Sequence, residues 1–432
     1  NIHIMDLSIE MPNEYDLEVG GTPAQVYNIC GIVYYGVTNS SIQRCRFYKI
    51  PGYSIRIRGD VAEYANQNIL IKGCKFITST WGPIIEGQYT RNVLFTECYS
   101  EDQYVGISLW GCKDVVVSNN ITYRNDNNKR FGLAGAAGIM PEQAPLENVA
   151  IIGNVLLDEE HGISTTANAG EYVRNLTIVG NIIRVEATDL TYGIGIDLGQ
   201  IKDSVIAGNI ITKPKKGLII GSSSNCVIMG NILRETRTSD LGFQISGSYH
   251  TIKNNQLIDV GTGASYTIWI NATKSLFEGN ILYDSDGTHS WHGFYLTDSA
   301  HENILRNNYI YNHNVGINLL TGADYNKIYD NILEANGTAI SNSGTGNIIK
   351  RNIGYATENN GIATFSGDGT TTTFTIAHGL VGTPTVYKVQ PASADAAGDF
   401  YVTADSTNLT VTYKTAPPSG TDNIVLVWQT EV

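Results

Sequence analysis

A chain of 432 residues is long enough for one extended repeat domain and a smaller companion, or for two or three ordinary domains. With 45 Gly, 25 Tyr and only 16% charged residues it has the composition of a turn-rich β protein, which excludes a disordered or mainly helical chain. The net charge of −13 excludes a nucleic-acid backbone as the main ligand and admits a neutral polysaccharide.

The chain opens with "NIHIMDLSI", which has strand character and no leader pattern, so a targeting region is expected to lie outside it. No apolar run reaches membrane-spanning length. From there the sequence repeats. "ENVAIIGNVLLDE", "RNLTIVGNIIRVE", "SNCVIMGNILRET" and "KSLFEGNILYDSD" each place Asn between two β-rich apolar runs. Aligned on that position, the column reads Cys45, Cys74, Cys98, Asn120, Asn154, Asn181, Asn209, Asn231, Asn255, Asn280, Asn308, Asn331 and Asn352, with Leu7 one coil earlier. The intervals run from 21 to 34 residues, too irregular for propeller blades or helical repeats and suited to coils of three short strands with variable loops. One strand precedes the Asn, one follows it, and a third usually starts with Gly, as in "GISTT" at Gly162, "GIGID" at Gly193 and "GINLL" at Gly316. Stacked about 4.8 Å apart, the asparagines would form a hydrogen-bonded ladder at a corner, with Asn itself adopting the left-handed backbone of the turn. Cys45, Cys74 and Cys98 continue the column as reduced packing thiols, and none of the six cysteines has metal-ligand spacing.

This pattern, over residues 1–358, resembles the right-handed parallel β-helix of the pectate-lyase-like superfamily. The resemblance implies an all-β rod of about 13–14 coils and, as activities, polysaccharide lyase, glycoside hydrolase, uronan epimerase or phage tailspike. At "ENNG" the period stops. Residues 359–432 alternate Thr, Val and Tyr between Gly, Pro and Asp turns, which predicts a small antiparallel β-sandwich, either glycan-binding or oligomerising.

A β-helix binds ligands on the outer face of a strand row walled by its longer loops. The longest interval, Asn120 to Asn154, and the two that follow it point to the third strand row. Its outward positions predict two alternative sites. Glu142 and Asp197, counted in one column two coils apart and so about 9.5 Å apart at the backbone, suit an inverting hydrolase, and Glu86, two coils below Glu142, could replace either. His161, Tyr192 and Lys216, counted on successive coils, suit β-elimination or C5 epimerisation, with Lys129 or Arg130 as the cation for a uronate carboxylate. Arg56, Arg58, Glu86, Trp110, Trp269 and Tyr295 are the expected substrate contacts, the arginines for carboxylates and the rings for sugar faces.

No cofactor or metal is expected. "DSDGTHSWHG" looks like a calcium loop but lacks its later ligands, and His289, His292, His301 and His313 lack metal spacing. The primary expectation is an extracellular or secreted polysaccharide-cleaving enzyme; the alternatives are a virion-surface tailspike or glycan-binding adhesin, and a uronan C5-epimerase. Polysaccharide is the expected partner, and the chain is expected to act as a monomer or a homotrimer.

Overall fold

The computed structural model describes residues 1–11, 29–124, 137–142, 146–165, 172–185, 193–236, 240–260, 264–285, 287 and 290–432. The chain winds as a solenoid whose coils each contribute one strand to each of three rows. The coil of the opening motif shows the pattern. Val173–Val179 lies before the Asn, Ile182–Arg184 follows it, and Ile194–Leu198 forms the third strand. Each strand pairs in parallel with its equivalents one coil below and one above, as Val173–Val179 does with Glu147–Ile152 and Val205–Ala207. The row after the Asn is a separate 13-stranded sheet. The other two rows join into one 28-stranded sheet, because strands such as Lys216–Ser224 run round the corner between them. Among the described residues the only helical turn is Ala62–Tyr64.

Strand alternation sends one side chain of each pair inward, so a single continuous core of Ile, Val, Leu and Phe fills the solenoid. Like stacks on like: Phe47, Phe76 and Phe95 follow each other with ring centroids 5.3 and 5.9 Å apart.

The Asn column forms the expected ladder. Asn209 is typical and fully buried. Its Oδ1 accepts from the backbone N (3.0 Å) and Nδ2 (2.9 Å) of Asn181, and its own N and Nδ2 donate to Asn231 Oδ1 at 3.0 and 2.9 Å. Nδ2 also donates to the Ile178 carbonyl at 2.9 Å. The pattern runs unbroken from Asn120 to Asn352. Cys98 N–H donates to Asn120 Oδ1 and Cys74 N–H to Cys98 Sγ, so the thiols do continue the column. All six cysteines are free, and every one but Cys30 is buried.

One expectation about this corner is corrected. The left-handed residue is not the ladder Asn but the residue before it: Asn119, Gly153, Gly180, Gly208, Gly230, Asn254 and Gly279 all have φ between 53 and 66°. The turn places φ > 0 at the outer residue, where Gly adopts it without strain, and the next residue aims its amide inward. That division of labour produces the recurring "GN".

A second ladder, which the sequence did not reveal, lies at the opposite end of the first strand. Cys226 N–H donates to His250 Nδ1, His250 N–H to Ser275 Oγ, Ser275 N–H to Asn303 Oδ1, and Asn303 N–H to Asn326 Oδ1. Here His250 does the work of Asn: Nδ1 accepts, so the proton sits on Nε2, which faces the Ser246 carbonyl at 3.1 Å.

After Ile348–Lys350 the character changes. Glu358–Gly367, Gly420–Glu431 and Val386–Pro391 form one three-stranded antiparallel sheet, and Thr373–Ala377, Asn408–Tyr413 and Phe400–Ala404 form another. The two enclose a core of their own, including Phe374, Leu409, Val411, Leu426 and Trp428. Lys350 on the last coil pairs with Glu431 of the module at 2.5 Å.

Replacing Asn209 with Leu leaves two donors of Asn181 and the Ile178 carbonyl unsatisfied in a buried corner. It should lower stability by about 3 kcal/mol or more, read as a drop in urea midpoint at unchanged m-value. Burial depresses the His250 pKa, opposed by its bond to Ser246, and burial also holds His313 and His161 at about 4. The unfolded chain therefore binds these protons first. Stability should be complete above about pH 6.5 and fall as the pH drops toward 4. In His250→Asn, which keeps the ladder acceptor, part of that acid sensitivity should disappear from a thermal-melting series.

Candidate functional site

The outer face of the third row is organised by register into columns of one residue per coil. One column reads Tyr35, Arg58, Glu86, Trp110, Glu142. Beside it run Arg56, Ile84, Ser108 and Met140. The inward neighbours Ile57, Ile85 and Leu109 are fully buried, which holds the strand and fixes the outward aim of the polar residues. At the end of each strand the coils are tied to one another. Gly59 N–H donates to the Glu86 carbonyl, Gly87 N–H to that of Trp110, and Gly111 N–H to that of Glu142. Gly87 turns at φ 93°, and a Cβ there would come within 2.3 Å of the Gly59 backbone, so this turn below the site needs glycine.

A cleft of about 450 Å³ opens over these columns, lined by Arg56, Arg58, Asp60, Glu86, Gly87, Gln88, Trp110 and Gly111. Four of the expected substrate contacts, Arg56, Arg58, Glu86 and Trp110, thus meet in one place. Glu86 is largely buried and accepts from Arg56 Nε at 2.7 Å, with Arg58 Nε 3.6 Å from the same oxygen. Arg58 turns instead to Asp60, at 2.7 and 3.1 Å. The carboxylates that the two arginines were expected to take from a ligand are supplied by the chain itself. Trp110 is 38% exposed. One neighbouring feature has no counterpart in the sequence pattern: Tyr104, Val105, Ala137 and Met140 form a small apolar cluster separate from the main core, with Trp81 packed on it edge to face with Tyr104 at 4.6 Å. Glu142 ends the strand that carries Met140, and burial raises its pKa to about 7. Asp60 and Gln88 were missed because they lie beyond the strand ends, where alternation gives no signal, and Trp81 because it makes only an isolated bridge, with Tyr53.

Two expected groupings are corrected by the register. Asp197 pairs with Ser164 and Ile219, so it belongs to the column beside that of Glu142. Gly195, not Gly193, stacks between Gly162 and Gly217, and it starts the third strand in register. The backbone separation of Glu142 and Asp197 is therefore two coils plus two residues along the strand, about 12 Å rather than about 9.5 Å. For the same reason His161 pairs with Ile194, which pairs with Lys216, so Ile194 fills the position expected for Tyr192. Tyr192 itself lies outside the described residues, as do Lys129, Arg130 and His289. His161 is buried between Ala137 and Ile194, and burial keeps it neutral, with its pKa lowered to about 4. Burial raises the pKa of Asp197, opposed by the charge of Lys216. Trp269 and Tyr295 are adjacent in register on the same row, five and six coils from Glu142, about 24 and 29 Å. Among the described residues no group of three or more His, Cys, Asp or Glu could hold a metal ion, and no helix is long and apolar enough to cross a membrane.

Comparison with known proteins places this geometry in context. Among solved structures, the chain is similar to tailspike protein variants of the E. coli bacteriophage HK620. One matches at TM-score 0.54 and 14% identity. One in complex with a hexasaccharide matches at 0.55 and 14%, and one in complex with a pentasaccharide at 0.50 and 15%. Each match covers 100% of this chain and 81% of the tailspike, and at this identity it is a likeness of fold. A search of curated proteins gives no match. The profile of the family described as "Right handed beta helix region" matches residues 29–233 and 241–381. With most of its length covered by that profile and its coils stacked in parallel, the chain belongs to the right-handed β-helix family.

Proposed function

We propose that the chain is a glycan-binding surface protein of the tailspike type, and that it hydrolyses a glycosidic bond over Trp110, between Glu86 in the cleft and Glu142 on the coil next to it. The observation that carries this reading is the column itself: an exposed Trp lies in register between two carboxyl groups. The indole offers a sugar ring a flat face. One carboxyl group then stands on either side of that ring, two coils and about 9.5 Å apart at the backbone, within the range of inverting glycosidases once the side chains lean. With its pKa raised to about 7 by burial, Glu142 is protonated in about half of the molecules at neutral pH, and that form donates its proton to the leaving oxygen. Glu86 is held through one oxygen by Arg56, which leaves the other to orient and activate water. The likeness to tailspikes solved with oligosaccharides supports the substrate class and a virion-surface or extracellular location.

Elimination and epimerisation are less well supported. Both need an accessible base and a free cation for a uronate carboxylate. His161 is buried, and Arg56 and Arg58 are engaged by Glu86 and Asp60.

Incubation with a panel of neutral and uronate polysaccharides should release reducing ends without the ultraviolet absorbance of an unsaturated uronate; that absorbance would identify elimination and overturn hydrolysis. In Glu142→Gln, turnover should fall by about 10²–10⁴-fold while binding persists. Because the acid form is the active one, the wild-type rate should decline as the pH rises through about 7. A flat pH profile there would remove Glu142 from the acid role.

A further inference from the structure

Farther along the third row the outer face changes character. Tyr266 and His292 are adjacent in register in one column, and Trp269 and Tyr295 in the next. All four are partly exposed. Three of the rings touch: Tyr266 and Tyr295 have centroids 4.3 Å apart, His292 and Tyr295 5.1 Å, and Tyr266 and His292 stack at 6.0 Å with an interplanar angle of 14°. Above and below stand uncharged hydrogen-bonding groups, Gln244 next to Trp269 and Asn318 next to Tyr295. From Leu241 to Thr338 in the first column, and from Gln244 to Ser341 in the second, no position is Lys, Arg, Asp or Glu. The cleft at Glu86 has the opposite composition, lined by two arginines and two carboxylates, Glu86 and Asp60.

Nothing inside the solenoid requires this surface. The row's inward residues Ile268, Ile270, Phe294 and Leu296 already fill the core. Four adjacent partly exposed rings, bordered by amides and with no charged residue in their own two columns, match the two faces of a pyranose: apolar C–H patches for stacking and hydroxyls or an N-acetyl group for the amides. Continuity favours a glycan over a protein partner, because the same strand row carries the cleft with no change of face. A polysaccharide lying along the rod passes both.

We propose that Tyr266, Trp269, His292 and Tyr295 form a distal glycan-binding zone for neutral sugar units, hexose or N-acetylhexosamine, of the same extended chain whose bond is cleaved six to seven coils away, about 29–34 Å. This rests on the glycan reading of the cleft. It assigns the two zones different tasks: the cleft selects the bond, and the rings select chains long enough to reach them.

The test uses the full chain and immobilised neutral oligosaccharides of the glucose, galactose and N-acetylglucosamine series, from disaccharide to octasaccharide, with a galacturonate series beside them. The double variant Trp269→Ala/Tyr295→Ala should lose about tenfold or more in affinity for the long neutral chains and little for the short ones. Tyr295→Phe, which keeps the ring, should bind as wild type, and melting curves check that each variant folds. Unchanged long-chain binding in the double variant, with binding lost in Trp110→Ala, would overturn the distal zone and leave the cleft standing. Equal losses for short and long chains would also overturn it, since the rings would then not be distal. If the wild-type chain retains no oligosaccharide of any series, both readings fail together.

Discussion

The structure depends on the hydrogen bonds between successive coils. In a solenoid every backbone N–H and C=O of a strand must find its partner on the coil above or below, and the corners are where this fails most easily. The buried Asn ladder is the solution at one corner. Each amide closes the turn on the coil before it and offers its oxygen to the same group there, so no polar atom at that corner is stranded. Once the corners are satisfied, the pitch is fixed at about 4.8 Å, and every outward side chain is placed at a multiple of that distance from its equivalents. Separation between functional groups on such a rod is a matter of counting coils.

The outer faces use this regularity in different ways. In several places stacked charges alternate in sign. Lys253, Glu278 and Arg306 succeed one another with contacts of 2.7 and 2.8 Å, and Arg351 forks onto Asp330. These pairs are half exposed and contribute little to stability. The alternation is not general: Arg46 faces Lys75 and Arg174 faces Lys202 at the same repeat distance. In the third row Arg58, Glu86, Trp110 and Glu142 follow one another, and the charge of Glu86 is also answered from the neighbouring column by Arg56.

The period of this chain was legible because one corner uses the same residue in almost every coil. What escaped was whatever uses different residues for the same task. The second ladder passes through Cys226, His250, Ser275 and Asn303, four side chains that share only the ability to accept from a backbone N–H, so no column of identical letters exposes it. The misplacement of Asp197 has a separate cause. "GIGID" offers two glycines two residues apart, and a strand shifted by two residues keeps the same side chains inward. Alternation detects a slip of one and is blind to a slip of two. The packing of Gly195 on Gly162 and Gly217 settles the matter, and only three dimensions supply it.

The same blindness explains why the column of Glu86 and Glu142 was legible and the chemistry of its members was not. Their spacing follows from the repeat. Their environments follow from turns and from a small apolar cluster separate from the main core. Glu86 faces two guanidinium groups, whereas Glu142 ends the strand that contributes Met140 to that cluster and is pushed toward neutrality by burial. Two identical side chains on a nearly translational scaffold would otherwise behave alike. The acid and base roles proposed for them need such a difference, and on a rod that repeats itself the difference has to be built from what does not repeat, such as the arginine one column over from Glu86.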